Sequence, residues 1–378
     1  MSLYLHIPFC RKACSYCDFH FSVNHERIDD VVNALVKELE LRKNYLQQRE
    51  EKPLLATIYF GGGTPSLLST DQLLRIFKAI ENYYVIAENA EITLEANPDD
   101  LTPEKLAALM QTPVNRLSIG VQSFFEKELV LMNRAHTAEM ALQSVTDAYN
   151  AGFKNITIDL IYGVPGMSDN DWLHNLETAF SLPVQHLSCY SLTVEKKTAL
   201  DKMIRDGKVP AVDEDQAARH FRLLIDKAQL NGFEHYEISN FARPGFYSKH
   251  NSSYWKDHHY IGIGPSAHSY NGISRQWNIA SNAAYVIAIN NNEIPAEEEV
   301  LTLQNRYNEY LMTGLRTNWG VDLQYIRENF GESYEADFLH QLLPYIESGD
   351  LMVNRTVFTL SEKGKLIADR ITAKAFIV

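Results

Sequence analysis

The distribution of hydrophobic and polar residues predicts alternating strands and helices over the first 230 residues. Short, nearly continuous apolar runs alternate with longer segments whose apolar residues recur at helical spacing. Strands that are apolar along their whole length are typical of a parallel sheet covered on both faces. The predicted strands are Leu3–Phe9, Leu54–Phe60, Ala90–Ala96, Arg116–Gln122, Asn155–Tyr162 and His186–Thr193.

A helix follows each of these strands. The predicted helices are Val31–Leu46, Asp71–Tyr83, Pro103–Met110, Thr137–Ala151, Asp169–Leu182 and Glu214–Asn231. Eight strand–helix units would close a barrel. Six units predict an α/β fold of the incomplete (β/α)6 TIM-like barrel type, whose open side can admit a large substrate. In such barrels the functional side chains lie at the carboxyl ends of the strands.

Two further segments are predicted after this barrel, which we assign to residues 1–230. The regular alternation stops in residues 231–296, a barrel extension or loop region rich in His, Tyr and Gly, and long loops of this kind often carry function. Residues 297–378 predict three helices and a small hairpin, which together form a C-terminal α+β domain of winged-helix-like type. Its 13 acidic and 8 basic residues argue against nucleic-acid binding.

The overall composition is that of a globular protein, with 45% hydrophobic and 22% charged residues. The net charge of -13 argues against nonspecific binding to nucleic acid or to an anionic membrane surface. No apolar run approaches the length of a membrane span, and Met1–Ile7 lacks the basic start of a signal peptide. Few cysteines, three of them clustered, favour a reducing compartment. We therefore expect a cytoplasmic protein without a membrane span.

Three of the four cysteines form a C-x3-C-x2-C loop directly after the first predicted strand. They are Cys10, Cys14 and Cys17, whereas Cys189 lies far away in an apolar run. Thiolates hold iron–sulfur clusters, and a four-iron cluster has four metal corners. Three thiolates would leave one iron with an open position, which a small chelating ligand can occupy. A disulfide is disfavoured because three crowded cysteines cannot all pair.

A structural zinc site is the main alternative for this loop. His6 or His20 would then supply a fourth ligand beside the three cysteines. Zinc sites usually contain two cysteine pairs in succession, and no second pair exists in this chain. The spacing therefore favours an iron–sulfur cluster over zinc.

Polar or glycine residues stand at or near the ends of all six predicted strands. Gly61–Thr64 forms a glycine-rich loop, in which backbone groups can approach a ligand because no side chain intervenes. Asp159 lies inside an apolar run, where a charge is costly unless it is paired or hydrogen-bonded. Such residues predict a ligand site in the mouth of the barrel.

The cysteine spacing, with Tyr16 just before the last Cys, resembles that of radical S-adenosylmethionine (SAM) enzymes. Nearly the whole chain resembles the oxygen-independent coproporphyrinogen III oxidase-like family of radical SAM proteins, and specifically its haem-chaperone branch. The segments that carry this resemblance are Tyr4–Cys10, Gly61–Pro65, Glu95, Gly120–Phe124, Asn133–Arg134, Asp159–Pro165 and the C-terminal domain.

The resemblance implies two cofactors, a [4Fe-4S] cluster on Cys10, Cys14 and Cys17 and a SAM molecule that chelates its open iron. The positions that match SAM contacts are Tyr4, Gly62 and Glu95, with Tyr16 as an aromatic lining the cofactor site. The positions that match a second SAM site of the oxidase are Gly63, Thr64, Gln122, Arg134 and Asp159.

Two departures from the oxidase favour the chaperone branch. Phe19 replaces a further cysteine of the oxidase, and the first strand begins almost at Met1, where the oxidase carries an N-terminal arm. The segment His250–Trp255 also resembles the chaperones. The residues that we predict to contact haem are His250, Asn251, Tyr254 and Trp255, with Arg243 or Lys249 available to meet a propionate. His250 is either an axial ligand or a structural anchor.

Three functional hypotheses follow. The first is a radical SAM protein that binds haem as cargo and delivers it to haem-accepting proteins. This hypothesis leaves open whether the protein cleaves SAM in that role. The second is an oxidase that converts coproporphyrinogen III to protoporphyrinogen IX. The third is a non-enzymatic zinc or DNA-binding protein. The sequence leaves the oligomeric state open, with a homodimer among the alternatives.

Overall fold

The structure, a computed structural model, describes residues 1–46, 52–256 and 258–377. Six consecutive strands form its central parallel sheet, and each pairs in parallel with the next. These strands, β1 to β6, are Ser2–Ile7, Leu54–Gly62, Val85–Ala96, Arg116–Gln122, Asn155–Tyr162 and His186–Ser191. The helices of the same part of the chain, α1 to α8, are Ile28–Leu41, Thr70–Tyr83, Pro103–Leu109, Glu126–Leu131, Ala138–Ala151, Asp169–Ser181, Ala199–Arg205 and Glu214–Leu230.

Residues 231–300 extend this sheet at both edges. The added strands, β7 to β12, are Glu234–Glu237, Asn240–Ala242, Tyr260–Ile263, His268–Tyr270, Ser274–Asn278 and Ala296–Val300. Helices α9 and α10 of this segment are Lys249–Trp255 and Asn282–Asn290. Strand β1 pairs on its outer side with β9, and β6 pairs with β8, so β1 and β6 do not meet. The barrel is therefore open, as the six repeats predict.

The core of the barrel lies on both faces of the parallel strands. Every residue of β4 is buried, including Leu117, Ile119 and Val121. Helices cover the outer face of such a sheet and side chains fill its interior, so even the polar residues Arg116, Ser118 and Gln122 of β4 are buried. Full burial of each of the apolar side chains contributes about 1.5–3 kcal/mol relative to leaving it exposed. This packing fixes the carboxyl ends of the strands, where the candidate site lies.

Residues after 300 have a hydrophobic core of their own, which includes Tyr307, Phe338 and Phe358. Helices α11 to α15 of this part are Leu303–Leu315, Leu323–Asn329, Glu332–Glu347, Glu362–Lys365 and Ala368–Ala375. Strands β13 to β15 are Val321–Asp322, Leu351–Asn354 and Val357–Leu360, and they pair antiparallel in the order β13-β15-β14. Within the described residues, no helix is both long and apolar enough to cross a bilayer.

The predicted alternation of six strands and helices is confirmed, and the differences are local. The predicted first helix, Val31–Leu46, runs from Ile28 to Leu41, and the short helices α4 and α7 were not predicted. The segment at residues 231–296, predicted as a barrel extension or loop region, contains helices α9 and α10 and short strands that extend the sheet. Its strands are three to five residues long, too short for a periodic pattern to show. The division at residues 230 and 296 stays a prediction.

A buried ion pair joins α1 to the extension of the sheet. Arg42 donates from Nε to Glu38 Oε1 at 2.7 Å, and both side chains are at most 2% exposed. The second carboxylate oxygen of Glu38 accepts hydrogen bonds from the hydroxyl of Tyr285 at 2.6 Å and from the backbone N–H of Gly264 at 2.8 Å. Asn278 bridges the pair by donating to Glu38 and accepting from Arg42, both at 2.8 Å. We call this set the Glu38 network.

Replacement of Glu38 by Gln is expected to lower the free energy of unfolding by about 3 kcal/mol or more. The substitution keeps the shape of the side chain but leaves the buried Arg42 guanidinium without a counter-charge, and such broken pairs cost about 3–5 kcal/mol. Chemical denaturation measures the change. Asp30→Asn is the matched control on the same helix, since Asp30 pairs with Arg27 at a half-exposed surface and should cost less than about 1 kcal/mol. An equal loss of unfolding free energy in the two variants would show that burial of the Glu38–Arg42 pair does not set the size of the effect.

Candidate functional site

The cysteine loop starts where β1 ends and is held by hydrogen bonds to neighbouring segments. The N–H of Cys10 donates to the carbonyl of Ser22 at 3.0 Å, and the N–H of Ser15 donates to the carbonyl of Met132 at 3.0 Å. Cys10, Cys14 and Cys17 are all partly exposed free thiols. The loop therefore presents its sulfur atoms at the carboxyl end of the sheet, as the sequence predicts.

The three thiols interact electrostatically with one another, as neighbours do. Among the described residues, no three His, Cys, Asp or Glu side chains are placed to hold a single metal ion. This finding gives the zinc alternative no support. A cubane differs because each thiolate binds a different iron, so its ligands stand further apart than the ligands of one ion. In the part of the chain that the structure describes, the donor set is three thiols without a fourth ligand, which fits a cluster with one open corner.

A chain of hydrogen bonds links two of these sulfur atoms. The hydroxyl of Thr64 donates to Cys10 Sγ at 3.5 Å and accepts from Asn97 Nδ2 at 3.1 Å. Arg134 donates to Asn97 Oδ1 at 2.6 Å and to Cys14 Sγ at 3.3 Å. Donors aimed at a sulfur ligand stabilise its thiolate form and tune the metal that it binds. Asn97 was not among the predicted site residues, although it follows the end of β3 by one position.

Burial favours the protonated form of two thiols of the loop, Cys10 and Cys17. Burial raises the pKa of Cys10 to about 11, and burial also raises the pKa of Cys17. Iron binds the thiolate, so assembly of a cluster must displace these protons. The hydrogen bond from Thr64 opposes the shift at Cys10, which makes that displacement easier.

The glycine-rich loop leaves room that no other residue would leave. Gly62 has φ +104°, and a Cβ there would lie 2.5 Å from the ring of His6. A Cβ on Gly63 would lie 2.6 Å from the carbonyl oxygen of Phe9. Only glycine fits this close approach. The loop thus brings the carboxyl end of β2 directly against the start of the cysteine loop.

Glu95 points from β3 toward this loop. Its carboxylate accepts from the hydroxyl of Tyr59 at 2.8 Å and from the N–H of Gly62 at 3.2 Å. Burial raises the pKa of Glu95 to about 7. A half-buried carboxylate that has no salt-bridge partner among the described residues suits a cationic ligand such as SAM, which carries sulfonium and ammonium groups. Tyr59 was missed from sequence, where it lies within the apolar run of β2.

The remaining predicted cofactor residues lie on β4, on β5 and in the cysteine loop. Burial raises the pKa of Asp159 to about 6, and its charge in turn raises the pKa of Glu95. Gln122 ends β4 with φ 66°, an unusual backbone conformation for a residue other than glycine. Tyr16 is close enough to Arg134 and to the thiols of the loop to interact electrostatically with them. The structure thus brings these residues to one end of the sheet.

A cavity of about 610 Å³ opens beside this cluster of residues, and we call it the aromatic cavity. The predicted site residues that line it are Tyr4, Gly62, Glu95, Tyr254 and Trp255. The other lining residues are Asp18, Phe19, Tyr260, Ser266 and His268, together with His6 and His20, which were predicted only as fourth ligands in the zinc alternative. The cavity therefore joins the predicted SAM contacts to part of the predicted haem segment. Phe19 is 69% exposed at this site.

The His250–Trp255 segment forms helix α9 and divides between core and cavity. His250 is 1% exposed; its Nδ1 lies 2.8 Å from the hydroxyl of Thr57, and its Nε2 lies 2.9 Å from that of Tyr254. Burial lowers the pKa of His250 to about 3. These contacts suit the structural anchor rather than the axial ligand. Ser248 caps the first turn, because its Oγ accepts a hydrogen bond from the N–H of Asn251 at 3.2 Å.

The two predicted propionate contacts lie outside the aromatic cavity. Lys249 donates from Nζ to the carbonyl of Asn89 at 3.1 Å. Arg243 packs its guanidinium over the ring of Phe233 at 4.7 Å. Neither side chain lines the cavity. Both make the other contacts just described.

Comparison with known protein families gives two matches. Residues 4–179 match the Radical SAM superfamily, and residues 301–367 match the HemN C-terminal domain. The radical SAM domain implies a [4Fe-4S] cluster and bound SAM. The fold is that of coproporphyrinogen III oxidase (HemN) from Escherichia coli, with a TM-score of 0.85 and 24% identity over 99% of this chain and 89% of that one.

Full-length relatives define the family more closely. The chain is 35% identical over 373 residues to a Bacillus subtilis protein named heme chaperone HemW, covering 98% of this chain and 97% of that protein. It is 36% identical to the protein of the same name from Lactococcus lactis, covering 99% and 96% respectively. The chain therefore belongs to the HemW family of radical SAM proteins.

Proposed function

We propose that this protein is a haem chaperone, which binds haem in the aromatic cavity and passes it to haem-requiring proteins. The observation that carries this proposal is the cavity itself. Its volume of about 610 Å³ lies in the range of small-molecule sites. Its walls combine the rings of Phe19, Tyr254, Trp255 and Tyr260 with a few polar groups, which suits a large, flat, mostly apolar ligand. The names of its full-length relatives support the same function.

The proposed cofactor site adjoins this cargo site. Cys10, Cys14 and Cys17 would hold the [4Fe-4S] cluster, and Glu95 with the backbone of Gly62 would bind SAM. When bound, the reduced cluster supplies an electron that can cleave a carbon–sulfur bond of SAM. The chain's own contribution is to orient the two cofactors at one end of the sheet and to balance the positive charge of SAM with the Glu95 carboxylate.

Two further proposals concern the second SAM site and the setting of the protein. Gly63, Thr64, Gln122, Arg134 and Asp159 match the second SAM site of the oxidase, but Thr64 and Arg134 already bond to the cysteine sulfurs. We assign these two residues to the cluster.

We also propose that the protein works in the cytoplasm, where haem-accepting proteins would meet it.

The oxidase hypothesis is not favoured. The exposed ring of Phe19 stands where the oxidase has a further cysteine, so a thiol of that enzyme is replaced by an apolar wall of the cavity. The similarity to HemN at 24% identity shows a shared fold and no more. Anaerobic turnover of coproporphyrinogen III by the reconstituted protein tests this alternative, and we expect no protoporphyrinogen IX to form.

Haem titration of cavity variants tests the chaperone proposal. Trp255→Ala removes a large ring from the cavity wall, and we expect haem affinity to fall about tenfold, equivalent to about 1.4 kcal/mol. Absorption spectroscopy of the reconstituted protein gives the dissociation constant. Phe246→Ala is the matched control because Phe246 is an exposed aromatic residue outside the cavity. Equal haem affinity in the native protein and the Trp255 variant would place haem elsewhere.

A further inference from the structure

The aromatic cavity contains three imidazole side chains that could meet a haem iron. They belong to His6, His20 and His268. Proteins hold haem iron through His, Cys, Met or Tyr side chains, and imidazole ligands need an unprotonated nitrogen free to face the metal. The three histidines differ in how many of their ring nitrogens already make hydrogen bonds within the protein.

Two of these rings are held by the protein. Nδ1 of His6 lies 3.2 Å from the hydroxyl of Tyr4, and its Nε2 lies 3.0 Å from the carbonyl of His20. Nε2 of His20 lies 2.7 Å from Asn282 Oδ1. Iron coordination by His6 would break one of its two hydrogen bonds, and coordination through Nε2 of His20 would break its contact with Asn282.

His268 is the uncommitted ring. It lies at the start of β10, its side chain is exposed, and among the described residues no hydrogen bond to either of its ring nitrogens is found. Its main aromatic contact is a stacked arrangement with Trp277, at 6.3 Å between ring centroids. This contact does not use the nitrogens of the imidazole. Partial desolvation and the positive charge of Arg275 lower the pKa of His268, which favours the neutral form that can bind iron.

The tyrosines of the cavity are weaker candidates for the iron. Burial raises the pKa of Tyr4, Tyr254 and Tyr260, so their hydroxyls stay protonated, and a phenolate is the form that binds iron. The hydroxyls of Tyr4 and Tyr254 also contact histidine rings. Aromatic packing is the role that remains for them.

Resting on the proposed haem function, we infer that His268 is the side chain that ligates the iron of haem bound in the aromatic cavity. His250, by contrast, holds α9 against β2 through Thr57 and orients Tyr254. In this arrangement the aromatic rings of the cavity contact the macrocycle, and one nitrogen of His268 binds the iron. Haem is distinguished from a metal-free porphyrin by that single bond.

Parallel titration with haemin and with metal-free protoporphyrin IX tests this inference. His268→Ala should weaken haemin binding at least about tenfold and change the Soret band of the complex. It should leave protoporphyrin IX affinity within about twofold, because the porphyrin is held by ring contacts alone. Added imidazole should restore the native haemin spectrum. His340→Ala serves as the control, because His340 is an exposed histidine outside the aromatic cavity, and it should keep that spectrum.

The possible outcomes separate the inference from the proposed function. Native protein that binds neither haemin nor protoporphyrin IX would overturn the haem function and the inference with it. Native binding of both, with an unchanged haemin spectrum and affinity in His268→Ala, would overturn the inference alone. Loss of both ligands in His268→Ala would also overturn it, since His268 would then shape the cavity rather than bind iron.

Discussion

Replacement of Cys10, Cys14 or Cys17 by serine is expected to abolish the iron–sulfur cluster. A hydroxyl is a poor ligand for cluster iron, and no spare thiol lies nearby, because the fourth cysteine, Cys189, is buried on β6. Iron and acid-labile sulfide should fall from about four atoms of each per chain toward zero after anaerobic reconstitution.

Cys189→Ala is the matched control for these variants. Cys189 is 1% exposed among apolar neighbours, so its removal should leave the iron and sulfide content unchanged. Haem titration of the serine variants is a second, separate measurement. None of the three cysteines lines the aromatic cavity, so haem affinity reports on the cavity and not on the cluster ligands. A full cluster in a serine variant, or a cluster that depends on Cys189, would contradict the assignment of the ligands.

Glu95→Gln is expected to weaken SAM binding by at least about thirtyfold. The substitution removes the charge that faces the cationic cofactor, and truncation of one partner of a buried charge pair costs about 2–5 kcal/mol. Equilibrium binding of SAM to the protein that carries the cluster measures the loss. Native affinity in the Gln variant at pH 8 would exclude Glu95 as the counter-charge.

The pH dependence of SAM affinity gives a second test of Glu95. The pKa of Glu95 in the free protein is raised to about 7 by burial, and SAM binds the ionised form. Affinity should therefore fall as pH drops below about 7 and level off above it, by up to tenfold per pH unit on the falling side. Glu95→Gln should flatten this profile. Asp159→Asn should shift it to lower pH, because Asp159 raises the pKa of Glu95.

The barrel could be predicted from sequence because its strands are buried on both faces. The apolar runs at β4 and β5 were predicted with the bounds that the structure has, and the strand-end rule placed Glu95 and the cysteine loop together. The short strands β8 and β10, each of three residues, carry too little pattern to be seen. For that reason His268, which lies on β10, did not stand out among the histidines of the chain.

The division of roles within the His250–Trp255 segment could not be predicted either. Sequence places His250 and Tyr254 four residues apart, which predicts a shared helix face. It does not show that Thr57, from a strand nearly two hundred positions earlier, occupies the other nitrogen of His250 at 2.8 Å. Contacts of this kind depend on the register between distant segments, and they decide whether an imidazole is a ligand or a support.

The Glu38 network has a consequence for synthesis on the ribosome. Helix α1 is among the first segments to emerge, yet Gly264 and Tyr285, which complete the shell around its carboxylate, follow 226 and 247 positions later. Until they emerge, the Glu38 carboxylate lacks two of its hydrogen-bond donors, so the buried setting of the Glu38–Arg42 pair is incomplete. The nascent barrel therefore cannot complete the Glu38 network until most of the chain has been translated. During this interval a general chaperone would be needed most.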